Sequence, residues 1–217
     1  MRVSLIITTY NSPAALLLVL QSVERQSTLP SDVIIADDGS DIDTKELIIN
    51  FQLTTTLKII HSWQKNKGFR AAKSRNKGIA QSDADYLILI DGDMILHQYF
   101  IEDHIKNAEI GYFIQGARVL LSEDVTEDAI QKMSSNFSFL SYGIKNRKNL
   151  IHSDFLSKIF LKKKKYLNGI KACNMAFFKE DCVNINGFNN DFEGWGREDS
   201  EFAARLLNSG IARKNLR

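Results

Sequence analysis

Only two cysteines, Cys173 and Cys182, occur in the chain, and they lack metal-ligand spacing. That argues against a disulfide framework and suits a reducing cytosol, so a cytoplasmic location is expected. With two prolines in all, a long proline-rich or disordered linker is not expected. No segment approaches the roughly 18 to 20 apolar residues that a membrane-spanning helix needs. The apolar run ending at Thr8 is also too short for a signal peptide's apolar region and cleavage site. A surplus of one charge sign is missing as well. The net value is +2, so no nucleic acid is expected as partner and any basic contact must come from a local patch.

What is present is an ordinary globular mixture, 44% hydrophobic and 25% charged, in 217 residues, enough for one α/β domain or one domain with an appended loop region. Val3 to Thr8 reads as a buried strand, and Asn11-Ser12-Pro13 supplies a cap and a first-turn proline for a helix. Leu16, Val19, Leu20 and Val23 follow at helical spacing. Val33 to Ala36 is a second strand, Leu57 to Ile60 a third and Tyr86 to Ile90 a fourth. Between them lie a helix with Leu47, Ile48 and Phe51 on one face and a helix over Gly68 to Ala80, whose Arg70, Lys73, Arg75 and Lys77 suggest a basic surface. This alternation predicts a mostly parallel sheet covered by helices on both faces. Further on, Gln98 to Asn107 reads as helix, Tyr112 to Ala117 and Ala172 to Phe178 as strands, and Asp199 to Leu207 as a helix with Phe202, Ala203 and Leu206 inward. Residues 122 to 168 lose periodicity, and a helical or mobile excursion is expected there, mobile over 140–168.

Four clusters fall at strand ends or before the last helix: Thr8-Thr9-Tyr10-Asn11, Asp37-Asp38-Gly39-Ser40, Asp91-Gly92-Asp93, and Gly194-Trp195-Gly196-Arg197-Glu198-Asp199. Ligands of open α/β sheets bind outside the carboxyl ends of the strands, and hard divalent cations take carboxylate oxygens. A tyrosine can stack on a nucleobase, and an ionised carboxylate at a helix start can act as a general base. Read alone, each cluster is equally a turn, a helix cap or a core residue. Gly194 and Gly196 do not form a dinucleotide fingerprint, because Asp199 stands at the third glycine position.

Taken in order, Ile6-Ile7-Thr8-Thr9-Tyr10-Asn11, Asp37-Asp38-Gly39-Ser40, Gly68 through Arg75-Asn76, Asp91-Gly92-Asp93, and Gly187-Phe188 with Gly194-Trp195-Gly196-Arg197-Glu198-Asp199 resemble family 2 glycosyltransferases. The last motif resembles the branch of chondroitin-polymerase-type and β-1,4-galactosyltransferase-type domains. The resemblance implies the GT-A nucleotide-diphospho-sugar transferase fold, an α/β, Rossmann-like, mostly parallel sheet flanked by helices. It also implies inverting transfer of a hexose or N-acetylhexosamine from a UDP-sugar, with UDP-galactose or UDP-N-acetylgalactosamine favoured, to a cell-surface glycan such as lipopolysaccharide or capsule.

On that resemblance Thr8 and Tyr10 line the nucleotide pocket, Asp38 contacts the uracil with Asp37 beside it, and Arg70 or Arg75 faces the diphosphate. Asp91 lies near the ribose or sugar, and Asp93, with Asp91, holds Mn2+ or Mg2+. Asp199 is the base and Glu198 positions the acceptor hydroxyl, while Trp195, Gly194 and Asn174 form the acceptor and sugar side. The branch commonly completes its metal site with a later histidine, and none follows His152 here; the chain ends 18 residues past Asp199. Two readings stay open, a truncated domain whose tail Ala212 to Arg217 is a strand entry, or a metal held by fewer protein groups and more water. The expected organisation is one domain over 1–217, with a nucleotide-binding half at 1–97 and an acceptor-binding half at 98–217. Lys162, Lys163, Lys164 and Lys165, beside an apolar stretch, suit either the inner membrane face and a lipid-linked acceptor, an anionic acceptor, or simply solvent. Two rival functions are a non-catalytic sugar-nucleotide or glycan-binding module of a larger synthase and a sugar-nucleotide pyrophosphorylase. The latter needs a glycine-rich loop where Thr8-Thr9-Tyr10-Asn11 stands.

Overall fold

The structure, a computed structural model, describes residues 1–135, 137–150, 167–194 and 196–216, and the backbone alone of 162–164. Trp195, Lys165 and the side chains of Lys162, Lys163 and Lys164 therefore lie outside the described residues, as does 151–161 of the stretch expected to be mobile.

The first half alternates as the pattern predicts: β1 (Val3–Thr9), α1 (Pro13–Glu24), β2 (Asp32–Asp37), α2 (Ile42–Thr54), β3 (Ile59–Trp63), α3 (Ala71–Gln81) and β4 (Tyr86–Asp91). Three expectations need correction. β3 lies further along the chain than its apolar run suggests, because its polar end pairs with β2 and His61 bonds to Asp37. Ser12 makes no side-chain cap for α1. Asn11 instead joins two loops, its N–H donating to Ser40 Oγ and its side-chain oxygen accepting from the Asp41 N–H. The basic face of α3 is also only partly a surface, since Lys73 is exposed but Arg70 and Arg75 are buried.

The second half holds α4 (Phe100–Asn107), β5 (Tyr112–Gly116), a ribbon of β6 (Leu120–Leu121) and β7 (Ile144–Lys145) around α5 (Glu123–Gln131), then β8 (Lys162–Lys164), β9 (Asn174–Phe178), α6 (Lys179–Asn184), α7 (Glu198–Asn208) and β10 (Ala212–Leu216). One eight-stranded sheet runs in the order β3-β2-β1-β4-β9-β5-β10-β8. The tail, expected only as a strand entry, is paired with β5 on one side and β8 on the other.

β9 is antiparallel to both β4 and β5, and β10 is parallel to β5. The carboxyl ends of β1, β2, β4, β5 and β10 therefore share one edge with the amino end of β9. That edge gathers Thr8, Asp37, Asp91, Gly116 and Asn174 from distant parts of the chain.

Strands buried on both faces read as continuous apolar runs, and β1, β2 and β4 are such strands. Leu5, Ile7, Val33, Ile35, Ile88 and Ile90 face α1, α2 and α4 through Leu16, Val19, Leu20, Ile48 and Ile101. Ile6, Ile34, Leu87, Leu89 and Phe177 face α3, α6 and α7. On this second face the Phe188 and Phe202 rings stack 4.0 Å apart at 8°, with Phe177 5.0 Å from Phe202. Phe188 thus fastens the loop before α7 to the sheet. Phe202→Ala should cost about 3 to 5 kcal/mol through lost burial and a residual cavity. A lowered urea midpoint at unchanged slope checks this, and an unshifted midpoint rules out the stack as an anchor.

Candidate active site

At the β2 end the two adjacent aspartates do different work. Asp37 is fully buried. Its Oδ1 accepts from the Gly39 and Ser40 N–H groups at 3.1 and 2.8 Å, and its Oδ2 lies 2.8 Å from His61 Nε2. Burial alone would raise its carboxyl, but the bonds from His61 and Ser40 outweigh that and hold it below the usual carboxylate range. Gly39 sits at φ +96°, and a Cβ there would lie 2.5 Å from the Asn66 backbone, so the turn needs glycine. Asp37 is therefore a loop clamp. Asp38, beside it, accepts from Gln64 Nε2 at 2.6 Å and from the Arg70 N–H at 2.5 Å. Each carboxylate oxygen has a second lone pair, which leaves Asp38 able to accept from a ligand. Tyr10 is exposed, and its hydroxyl accepts from Asn66 Nδ2 at 2.8 Å. Trp63, the last residue of β3, and Phe69, in the loop before α3, are exposed aromatics, and neither was singled out in the sequence. The Trp63 indole N–H donates to Ser40 O at 3.0 Å, which ties it to the same loop.

At the β4 end Gly92 donates its N–H to Thr8 O at 2.7 Å, and a Cβ on it would meet Thr8 O and Thr9 Oγ1 at 3.0 Å. The glycine between the acids is thus set by close approach to β1, and it places Asp91 half-buried and Asp93 exposed. Burial pushes the Asp91 carboxyl above the usual range. Arg75 and Arg118 work against that shift, and the charge of Asp93 adds to it.

Arg75 is the junction. Only 5% exposed, it donates from Nε to Thr8 Oγ1 at 3.3 Å, from Nη1 to Glu198 Oε1 at 3.0 Å, and from Nη2 to Asp91 Oδ1 at 3.5 Å. Its guanidinium also lies 5.6 Å from the Phe188 ring centre. Asn76 holds the same loop, donating to Phe188 O at 2.7 Å and accepting from the Phe188 N–H at 2.8 Å. The Arg-Asn pair thereby binds the β1 end, the β4 end and the start of α7 together.

Glu198 is buried on Arg75, whereas Asp199 next to it is partly exposed in the first turn of α7 and accepts from the Ser200 N–H at 2.6 Å. The turn before it runs through positive φ at Gly194, Gly196 and Arg197, and the Gly194 N–H donates to Phe69 O at 2.9 Å. Asn174 is brought to the same edge, but its amide is engaged: Oδ1 lies 3.0 Å from His104 Nε2, and Nδ2 donates to Ala117 O at 2.8 Å. Burial lowers His104 to about 4, against the bond to Asn174, so the ring is neutral at pH 7. Asp93, Asn174, His104 and Arg118 line one cleft of about 590 Å³, a size suited to a small-molecule or sugar ligand. None of Thr8, Tyr10 or Asp38 lines it, so the cleft extends away from the β1 and β2 ends.

Asp91 and Asp93 suit a hard divalent cation. Their mutual repulsion is relieved by a cation, and Mg2+ or Mn2+ commonly takes one or two carboxylates with water and phosphate oxygens completing the shell. Among the described residues no group of three His, Cys, Asp or Glu could hold a metal ion.

Residues 4–178 match the model of glycosyl transferase family 2. The chain belongs to that family. Residues 157–216 also match a model described as the N-terminal domain of galactosyltransferase, in keeping with the branch expected from the last motif. The hyaluronan synthase of Pasteurella multocida is 28% identical over 98% of this chain, which spans 23% of that protein. The mannosyltransferase PcManGT of Pyrobaculum calidifontis, solved with GDP-Man and Mn2+, superposes with a TM-score of 0.66 at 16% identity, over 98% of this chain and 53% of its own. S. aureus TarS 1-349 in complex with UDP gives 0.62 at 16%, over 100% and 58%. These likenesses establish the GT-A fold.

Arg75→Met should leave the Glu198 carboxylate buried and unpaired, at a cost of about 3 to 5 kcal/mol, and Glu198→Gln in the same chain should restore part of it. A urea denaturation cycle over the two single variants and the double variant measures the coupling. Additive losses would mean that the pair does not tie α3 to α7.

Proposed function

We propose that the chain catalyses an inverting, metal-dependent transfer of a hexose or N-acetylhexosamine from a UDP-sugar to a hydroxyl of a glycan. The observation that carries this reading is the buried Arg75, which draws the Thr8 end, the acidic pair at Asp91 and Asp93, and the Glu198-Asp199 helix start onto one sheet edge. Tyr10 and Asp38 hold the nucleoside, with Asp37 and Gly39 fixing the loop between them. Asp93 and Asp91 would hold Mn2+ or Mg2+, which supplies charge neutralisation for the leaving diphosphate. Because the Asp91 carboxyl is raised, protons compete for that site at a higher pH than at an ordinary aspartate.

Asp199, partly exposed in the first turn of α7, takes the proton from the acceptor hydroxyl. The hydroxyl oxygen bonds to the anomeric carbon from the face opposite the diphosphate, the carbon–diphosphate bond breaks, and the configuration inverts. Glu198, held by Arg75, fixes where Asp199 and the hydroxyl meet. The match of residues 157–216 to a galactosyltransferase model supports UDP-galactose or UDP-N-acetylgalactosamine as donor, and the likeness to a hyaluronan synthase supports a growing polysaccharide as acceptor.

UDP release in the presence of Mn2+, a panel of UDP-sugars and oligosaccharide acceptors tests the reading. Asp199→Asn is expected to lower kcat by about 10²- to 10⁴-fold with UDP affinity unchanged, and chelation is expected to stop turnover. Equal rates for wild type and variant would remove Asp199 as the base. UDP binding without transfer to any acceptor would favour a binding module instead.

Contact with the inner membrane face belongs to the same reading, and the loop before β7 supports it. Leu140 and Tyr142 are 85% and 79% exposed, and Lys145 and Lys148 stand beside them. No acid occurs between Asp128 and Asp154. Apolar and aromatic tips flanked by lysines suit an anionic bilayer surface. Co-sedimentation should be stronger with phosphatidylcholine vesicles that contain phosphatidylglycerol than with those that lack it. The double change Leu140→Ser and Tyr142→Ser should weaken it about tenfold; unchanged partitioning would exclude this loop.

A further inference from the structure

His61 takes no part in the reaction described above, yet it reaches the turn that carries Asp38. β2 and β3 run parallel with Ile35 opposite His61 and Asp37 opposite Trp63. The imidazole therefore stands one side-chain repeat short of the Asp37 carboxyl, on the same face of the sheet. Its Nε2 is 2.8 Å from Asp37 Oδ2, and its side chain is 16% exposed while that of Asp37 is fully buried. An ionised carboxylate can only accept, so Nε2 carries the proton in this pair whether the ring is neutral or charged.

The terminal torsion of an aspartate is broad and roughly two-fold, so the N–H groups that meet the carboxylate decide its plane. The Gly39 and Ser40 N–H groups both meet Oδ1, and both belong to the turn itself. His61 meets the other oxygen from a strand outside the turn. It ties the carboxylate plane to the sheet, and the two turn amides follow the carboxylate. The turn in turn has little slack. Its Ser40 accepts from Trp63 Nε1 at the carbonyl and from the Asn11 N–H at the hydroxyl, and a Cβ at Gly39 would lie 2.5 Å from the Asn66 backbone. Asn66 donates to the Tyr10 hydroxyl, and Asp38 directly follows Asp37. A displaced turn thus disturbs both groups assigned to the nucleoside, Asp38 and Tyr10. Asp91 at the end of β4 and Asp199 in α7 stand outside it.

We infer that His61 is a positioning residue for the nucleotide: by fixing the plane of Asp37 it sets the affinity for the nucleoside diphosphate. The inference rests on the reading of Tyr10 and Asp38 as the nucleoside side of the site, and it adds a determinant of donor binding on a neighbouring strand.

Two amide variants of different reach test it. A glutamine can put its amide nitrogen where the ring carries Nε2, whereas the asparagine amide falls short of Asp37. UDP binding with Mn2+, measured by calorimetry, is expected to be within about threefold of wild type in His61→Gln and about tenfold or more weaker in His61→Asn, the size of a lost hydrogen bond to a charged group. The donor KM of His61→Asn should rise with kcat at saturating donor unchanged. Amide hydrogen exchange at Gly39 and Ser40, read by NMR without nucleotide, should quicken in His61→Asn and stay as in wild type in His61→Gln. Wild-type UDP affinity in His61→Asn overturns the inference. So does an equal loss in both variants, which would make the ring a packing element, or a fall in kcat with donor KM unchanged. Should wild type fail to bind UDP, the nucleotide reading falls, and with it the role in affinity. Exchange at Gly39 and Ser40 then decides whether His61 holds the turn, and equal rates in all three proteins would exclude that too.

Discussion

A single buried guanidinium holds the site together. Arg75 projects from α3 against the sheet edge and divides its donors among the Thr8 hydroxyl, Asp91 and Glu198. A charge with so little water around it needs partners close by, and its partners need it equally. Glu198, buried like Arg75, has that guanidinium 3.0 Å from its Oε1. The packing on the same face makes this arrangement stiff: the Phe188 and Phe202 rings stack beneath the guanidinium, and Asn76 grips the loop that carries Phe188. The acidic pair and the α7 start are therefore fixed relative to one another before any ligand arrives, the condition electrostatic catalysis requires.

The two aspartate pairs show how sequence neighbours of one residue type come to have different surroundings. Asp37 has both oxygens inside the protein and keeps its turn shut, whereas Asp38 retains acceptor capacity. Asp91 is half-buried against Arg75, whereas Asp93 is exposed at the cleft mouth. Neighbours in sequence thus have different charge environments within one turn of chain.

Much of this was legible in the sequence because apolar runs ending in polar clusters mark the carboxyl ends of buried parallel strands. Thr8, Tyr10, Asp38, Asp91 and Asp93 stand where that rule puts them, and Phe202, Ala203 and Leu206 face inward as their spacing requires. What could not be read was anything set by contacts between distant segments. Glu198 and Arg75 are 123 residues apart, and nothing in either stretch points to the other. The polar half of β3 lacks the apolar signal and is held by pairing with β2. Asn174 read as an acceptor-side group, yet the fold uses its amide to join His104 to the Ala117 carbonyl.

β9, antiparallel to both β4 and β5, has a broader effect. Because β5 ends at the site edge and β9 begins there, the chain between them leaves the sheet and returns to it on the same side of the molecule. Among the described residues, β8 at the far margin is the one strand that this excursion adds to the main sheet. The excursion thus leaves and rejoins the sheet at the edge where Thr8, Asp37 and Asp91 stand, so its two ends are tied to the same edge as those residues.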